Sequence, residues 1–262
     1  MKQLIAASIQ YNISIGYIDA NLDKATAALR RVAAQGAKLA VLPEMWSCGY
    51  DYRNFTALAE ETPRVLESMQ KLCQELQLVT VGSLPELEDG KIYNTAYVID
   101  RGEIVATYRK LHLYSTMYED RYLGAGDHSL VVDTSVGRLG IAICYDLRFT
   151  ELFRKMALEG AEIICLPAEW PRPRQEHWKT LIRARAIENQ LFMIGANCCG
   201  IQGKLDFVGL SQLVSPLGNV LQVATEGEDA ELVATLDFAE MEKYRSEIKI
   251  LNDRRPDIYG NP

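Results

Sequence analysis

The chain has 262 residues, 48% of them apolar and 24% charged, which is the balance of a folded globular protein and not of a disordered one. Its formal net charge of −7 argues against a nucleic acid or an anionic membrane as the main partner, while leaving room for a local cationic pocket. No apolar run approaches the roughly 18 residues of a membrane helix, and the opening MKQLIAASIQYN reads as a strand with no cleavage site, so a cytoplasmic protein is expected.

In chain order, Leu4–Gln10 alternates as a strand. Asn21–Gln35 has apolar residues at helical spacing, and Gly36 is a natural stop. Lys38–Leu42 is a short buried strand and Arg64–Leu76 a second helix. Leu78–Ser83, Tyr93–Asp100 and Ile104–Tyr108, with Gly90 and Gly102 between them, predict antiparallel strands. Arg138–Cys144 reads as a strand, and a helix over 151–159 follows it with Thr150 as its N-cap. Glu162–Leu166 is a strand, Gln175–Asn189 a helix and Leu191–Asn197 a strand; the remainder reads as mostly β.

Two segments match: GAKLAVLPEMW at 36–46 and GAEIICLPAEW at 160–170. Each follows a β-α unit and ends a strand in Leu-Pro. The shared order predicts an α/β fold with a pseudo-twofold duplication, a four-layer α-β-β-α sandwich in one domain spanning 1–262. Loops at the strand C-termini then gather at one end, where α/β sites form.

Three apolar strands end abruptly in a polar residue: VLPE at Glu44, ATYRK at Lys110 and GIAIC at Cys144. A carboxylate, an ammonium and a thiol are the parts of acyl transfer from an amide. A free thiol has a pKa of about 8.5 and needs a base or a cation beside it to attack at neutral pH. A cation stabilises the oxyanion that follows. The other cysteines, Cys48, Cys73, Cys165, Cys198 and Cys199, are scattered without a CxxC pair, so neither a zinc framework nor a disulfide set is expected. His112, His128 and His177 lie in no segment with a third orienting group. His112 reads as a packing residue.

The segments LPEMWSCGY, YRKLHLY and GIAICYDLRF resemble, in order, the three signatures of the nitrilase, or carbon–nitrogen hydrolase, superfamily. The resemblance implies the α-β-β-α sandwich, a Glu44 base, a Lys110 oxyanion cation and a Cys144 nucleophile, with Glu119 in YEDRYLGAG as the family's second glutamate. It implies no metal or organic cofactor. The stretch LPAEWPRPRQEHWKTLIRARAIENQLFMIGAN is similar to the omega-amidase branch, which hydrolyses 2-oxoglutaramate and 2-oxosuccinamate. Such a substrate needs a cationic anchor. Arg148 is the first candidate, with Arg172 and Arg174 next, and Tyr50, Tyr145 and Trp170 as pocket walls. A structural ion pair of Arg148 with Asp146 or Glu151 is the competing reading.

The alternatives are an N-carbamoyl amino-acid or polyamine amidohydrolase, a true nitrilase, or a non-catalytic binding protein on the same fold. The resemblance also implies a homodimer or larger homo-oligomer. The segment at about 245–262, poor in core residues, is expected to cross to a partner subunit.

Overall fold

The computed structural model describes residues 3–260. The first half runs β1 (Gln3–Gln10), α1 (Ile18–Ala34), β2 (Leu39–Val41), α2 (Phe55–Glu60), α3 (Thr62–Leu76), β3 (Val79–Glu88), β4 (Lys91–Asp100) and β5 (Glu103–Arg109). β1, β2 and β3 are parallel neighbours, and β3, β4 and β5 form the expected antiparallel meander. A short α4 (Glu119–Tyr122) leads to the second half. That half runs β6 (Leu130–Thr134), β7 (Gly137–Ile141), α5 (Thr150–Leu158), β8 (Ile163–Ala168), α6 (Gln175–Asn189) and β9 (Phe192–Asn197). It continues through β10 (Cys199–Gln202), β11 (Leu205–Val208), β12 (Gln212–Val214), β13 (Val220–Val223) and β14 (Ala230–Asp237).

The two six-stranded sheets have orders β14-β1-β2-β3-β4-β5 and β13-β12-β9-β8-β7-β6. Reading the second backwards matches β1, β2 and β3 to β7, β8 and β9, so the halves are related as the repeated segments predict. The match extends to single hydrogen bonds. Gly36 and Gly160 both have φ +90°, and their N–H groups close α1 and α5 onto Ala33 and Ala157. The next strand is then entered the same way: Lys38 N–H donates to the Ile5 carbonyl, and Glu162 N–H to that of Arg138.

Period-2 alternation assigns each strand residue a side. Leu4, Ala6, Leu39, Val41, Val79 and Val81 face the second sheet and share its core. Ala7, Ile9, Ala40 and Leu42 face outward and pack with Leu29 and Val32 of α1 and Val65, Met69 and Leu72 of α3. On the far side α5 and α6 bury Phe153, Met156, Trp178 and Ile182. The four layers are therefore α-β-β-α. Among the described residues no helix is long and apolar enough to cross a membrane.

Three expectations need correction. β7 stops at Ile141, and Cys144 opens a tight 3-10 turn, Cys144–Arg148, because φ +45° takes it out of extended backbone. Phe149, not Thr150, is the N-cap of α5; the Thr150 hydroxyl turns to the Glu151 carboxylate instead. The tail after β14 is helical: α7 (Phe238–Glu247) starts where the Asp237 side chain accepts the Ala239 N–H, and α8 (Pro256–Tyr259) follows. Only Phe238 and Met241 of α7 are buried, too few to show a helical period in the sequence.

Gly126 fixes where Lys110 stands. Its N–H donates to the Lys110 carbonyl at 2.9 Å, and a Cβ there would lie 2.3 Å from the Arg109 carbonyl oxygen. Gly126→Ala should cost about 1–3 kcal/mol in urea unfolding, by forcing a tightly packed strand end apart. It should also reduce turnover more than an equally destabilising change in α1. Wild-type stability and activity in Gly126→Ala would contradict this packing role.

Candidate active site

The ends of β2, β5, β7 and β8 meet at one edge of the sandwich. Glu44 follows β2, Lys110 follows β5, Cys144 follows β7 and Glu169 follows β8. Lys110 Nζ donates to Glu44 Oε1 at 2.7 Å and to Glu119 Oε1 at 2.8 Å, with all three residues buried. Tyr50 Oη lies 2.6 Å from Glu44 Oε1 and 3.0 Å from Glu119 Oε1, and its single proton serves one of them at a time. Asn94 Nδ2 donates to Glu44 Oε1 at 2.7 Å, and the Glu169 N–H to Glu44 Oε2 at 2.8 Å. Glu119 Oε2 accepts the Tyr114 N–H at 3.1 Å.

These contacts set the protonation states. Burial pushes the Glu44 carboxyl upward, but the Lys110 charge and the hydrogen bonds from Lys110 and Tyr50 outweigh it and hold Glu44 below its ordinary value. Glu119 moves the other way: burial raises it, Lys110 opposes this, and the charge of Glu44 adds to it. Burial disfavours the charged form of Lys110, yet Glu119 and Glu44 hold its pKa well above the usual range. The Cys144 thiol is pushed well up by burial and then by Glu44, against the opposing pull of Lys110. The resting site therefore holds a neutral thiol beside an ionised Glu44.

The Cys144 turn is anchored by Asp146. Its Oδ2 accepts the Ile143 N–H and the Tyr108 hydroxyl, both at 2.8 Å. Its Oδ1 accepts the His112 N–H at 3.0 Å and lies 2.7 Å from His112 Nδ1. One buried carboxylate thus ties the Cys144 turn to Tyr108 and His112, which flank Lys110. His112 also stacks on Phe149 at 3.6 Å.

A narrow cleft opens at Cys144, lined by Tyr114, Tyr145, Arg148, Trp170 and Arg174. The Arg148 guanidinium lies over the Trp170 ring at 4.7 Å and the Tyr145 ring at 5.8 Å, and touches His177 Nδ1 at 3.2 Å. No ion pair holds it among the described residues: Asp146 is turned inward and Glu151 meets Thr150. Arg172 points elsewhere. It pairs with Asp206 at 2.6 Å and Glu226 at 2.9 Å, outside the cleft.

Tyr50 thus bonds the two glutamates as well as lining space near them. Asn94, Tyr114, Asp146 and Glu169 are site residues that sequence reasoning passed over. Glu169 had a signal: it is a charged residue straight after an apolar strand, as Glu44 is. Asn94 is the polar interruption in the apolar strand YNTAYVID. All six cysteines are free and buried.

The carbon–nitrogen hydrolase family model matches residues 5–246. The chain belongs to that family. This hydrolase is 37% identical over 263 residues to a 2-oxoglutaramate amidase of Bacillus subtilis, covering 99% of this chain and all of that one. It is 34% identical over 275 residues to omega-amidase NIT2 of Homo sapiens, covering 99% and 98%. Among solved structures it is similar to an amidase of Nesterenkonia sp. AN1 that carries the acetamide moiety of fluoroacetamide added covalently at the active-site cysteine. That pair has a TM-score of 0.87 and 28% identity over 98% of this chain and 95% of the other. The fold and the enzymatic class agree with what the three signatures imply.

Glu169 offers a check on the electrostatics of this hydrolase. Burial first, and the charge of Glu44 second, hold its carboxyl well above the ordinary value. The folded state then keeps a proton that the unfolded chain loses above pH of about 4.3, so its contribution to stability declines as pH rises. Glu169→Gln should therefore be no more stable than wild type at pH 4. It should gain over wild type by up to about 1.4 kcal/mol per pH unit above that, until the folded carboxyl ionises. Urea midpoints at pH 4 and pH 8 measure this, and a gap that does not widen with pH contradicts it.

Proposed function

We propose that this hydrolase is a thiol amidase that removes the terminal amide of a short 2-oxo acid amide, 2-oxoglutaramate or 2-oxosuccinamate, as ammonia. The observation that supports this most is a thiol, an ionised carboxylate and a lysine at one strand edge, with Arg148, which has no ion pair among the described residues, in the cleft at Cys144. The names of the relatives agree with the substrate class.

In this reading Glu44 takes the Cys144 proton as the sulfur attacks the amide carbon. The transfer moves a negative charge from Glu44 to sulfur without changing the site's total charge, so no free thiolate need exist beforehand. The oxyanion is stabilised by Lys110 and the backbone N–H of Tyr145. Glu44 then returns the proton to nitrogen, the C–N bond breaks and ammonia leaves a thioester. Water, deprotonated by Glu44, attacks the thioester, the sulfur regains its proton and the acid departs. Glu119 shares Lys110 and positions it. Arg148 binds the substrate carboxylate bidentately, with Arg174 beside it and Tyr145 and Trp170 as walls.

We also infer that the enzyme works as a homo-oligomer to which the segment at about 245–262 contributes. Arg245 is held on its own chain by the Gln190 and Ala161 carbonyls, while Ile258 and Tyr259 are exposed. Truncation after Lys249 should lower the mass seen in light scattering, and an unchanged assembly would refute the contribution.

Ammonia release from a panel of 2-oxoglutaramate, neutral amides, carbamoyl amino acids and nitriles tests the substrate class, with 2-oxoglutaramate expected to lead. Cys144→Ala should abolish release while leaving the circular-dichroism spectrum intact; retained turnover would refute the mechanism. Arg148→Met should raise KM for 2-oxoglutaramate by about tenfold to a hundredfold, the worth of a charge-assisted contact. It should spare a neutral amide, and equal losses on both substrates would remove Arg148 as the anchor.

A further inference from the structure

Glu169 stands between the catalytic cluster and a second cavity. Its backbone serves the cluster: the N–H donates to Glu44 Oε2 at 2.8 Å, and the carbonyl oxygen lies 3.7 Å from Cys144 Sγ. Its side chain lines a cavity of about 250 Å³ together with Tyr50, Tyr52, Thr116, Gln202 and Phe207. This cavity and the Arg148 cleft share no lining residue. Tyr50 is the common wall with the cluster, since it lines the cavity and its hydroxyl donates to Glu44.

Glu169 is only 1% exposed, and among the described residues no protein group bonds either of its carboxyl oxygens. A buried carboxyl in that condition calls for a small polar partner. The cavity has space for several waters, each needing roughly 10–15 Å³. Tyr52, Thr116 and Gln202 also line it, with the Tyr52 hydroxyl donating to the Met117 carbonyl and Gln202 Nε2 to Cys198 Sγ. Water and ammonia are the two small polar molecules the proposed reaction exchanges at Glu44. The acyl group, held at Cys144 and Arg148, occupies the other cleft.

We propose that the Glu169 cavity is the water and leaving-group side of the active site, and that Glu169 is the positioning residue that holds the hydrolytic water for Glu44. This rests on the thioester reading above. After Glu44 has returned its proton to nitrogen, ammonia leaves into the cavity. A water bonded to Glu169 replaces it beside Glu44. Glu44 takes one of its protons as the oxygen bonds to the thioester carbon, and the C–S bond then breaks with the proton passing to sulfur. Glu169 gives and accepts hydrogen bonds but exchanges no proton, consistent with a carboxyl that burial keeps neutral.

Single-turnover experiments quenched in acid and read by intact mass give the rates of thioester formation and decay. Hydroxylamine competing with water adds a second readout, the share of acyl group captured as hydroxamate. Glu169→Leu fills the same space without the oxygens. It should slow decay by about tenfold, leave formation within about twofold of wild type and raise the hydroxamate share. Glu169→Gln is neutral and polar, and should restore decay to within about threefold of wild type. A merely structural role would slow formation and decay together, or leave the hydroxamate share unchanged, and either result overturns the proposal. A Cys144 adduct in wild type whose decay is unchanged in Glu169→Leu overturns this proposal alone. Neither adduct nor hydroxamate in wild type overturns the thioester reading and this proposal with it.

Discussion

One buried ammonium lies between two buried carboxylates, and the chemistry of the site follows from how unequally it serves them. Lys110 carries one charge; Glu44 and Glu119 cannot both be fully compensated by it. The neighbours decide between them. Glu44 receives Lys110, Tyr50 and Asn94 on one oxygen and the Glu169 N–H on the other. Glu119 has Lys110, the Tyr114 N–H and a share of Tyr50. Glu44 is therefore the carboxyl that stays ionised, and Glu119 the one pushed toward its neutral form. Removing three charged side chains from water is costly, and such clusters add little to stability over an apolar core. The arrangement leaves an ionised Glu44 next to a Cys144 thiol that burial keeps protonated.

The sandwich exists upstream of that cluster. Two related halves place their strand ends at one edge, but they contribute unlike residues: Glu44 follows β2 and Lys110 follows β5 of one sheet, while Cys144 follows β7 of the other. The site can form only once the sheets have packed. Contacts across the sheets hold it there, among them the Ser8 hydroxyl on the Gly195 carbonyl at 2.9 Å and the Glu169 N–H on Glu44. Asp146 then links the Cys144 turn to the strand that delivers Lys110.

Much of this was legible in the sequence because local rules and the fold agree. The alternation of Leu4–Gln10 and the helical spacing after Asn21 reflect real faces, and the paired GA…LP segments mark equivalent helix stops and strand entries down to their hydrogen bonds. The abrupt polar residues at Glu44, Lys110 and Cys144 do share one edge. What was not legible depends on partners distant in sequence. Arg172 looks as available as Arg148 until Asp206 and Glu226 are seen beside it. Asn94 is one polar letter in an apolar strand, and its bond to Glu44 spans 50 residues. The helix α7 buries only two side chains, so no period announced it.

In the proposed mechanism Glu44 takes the proton from a neutral Cys144 thiol. The rate of Cys144 alkylation by iodoacetamide as a function of pH tests it most directly. With Glu44 ionised below the ordinary carboxylate range, the wild-type rate should be nearly flat from about pH 5 to 8. In Glu44→Gln it should be far lower in that window and climb only at alkaline pH, as the buried thiol itself ionises. A wild-type rate that rises about tenfold per pH unit between pH 6 and 8, unchanged by Glu44→Gln, would show instead that the thiol ionises without Glu44.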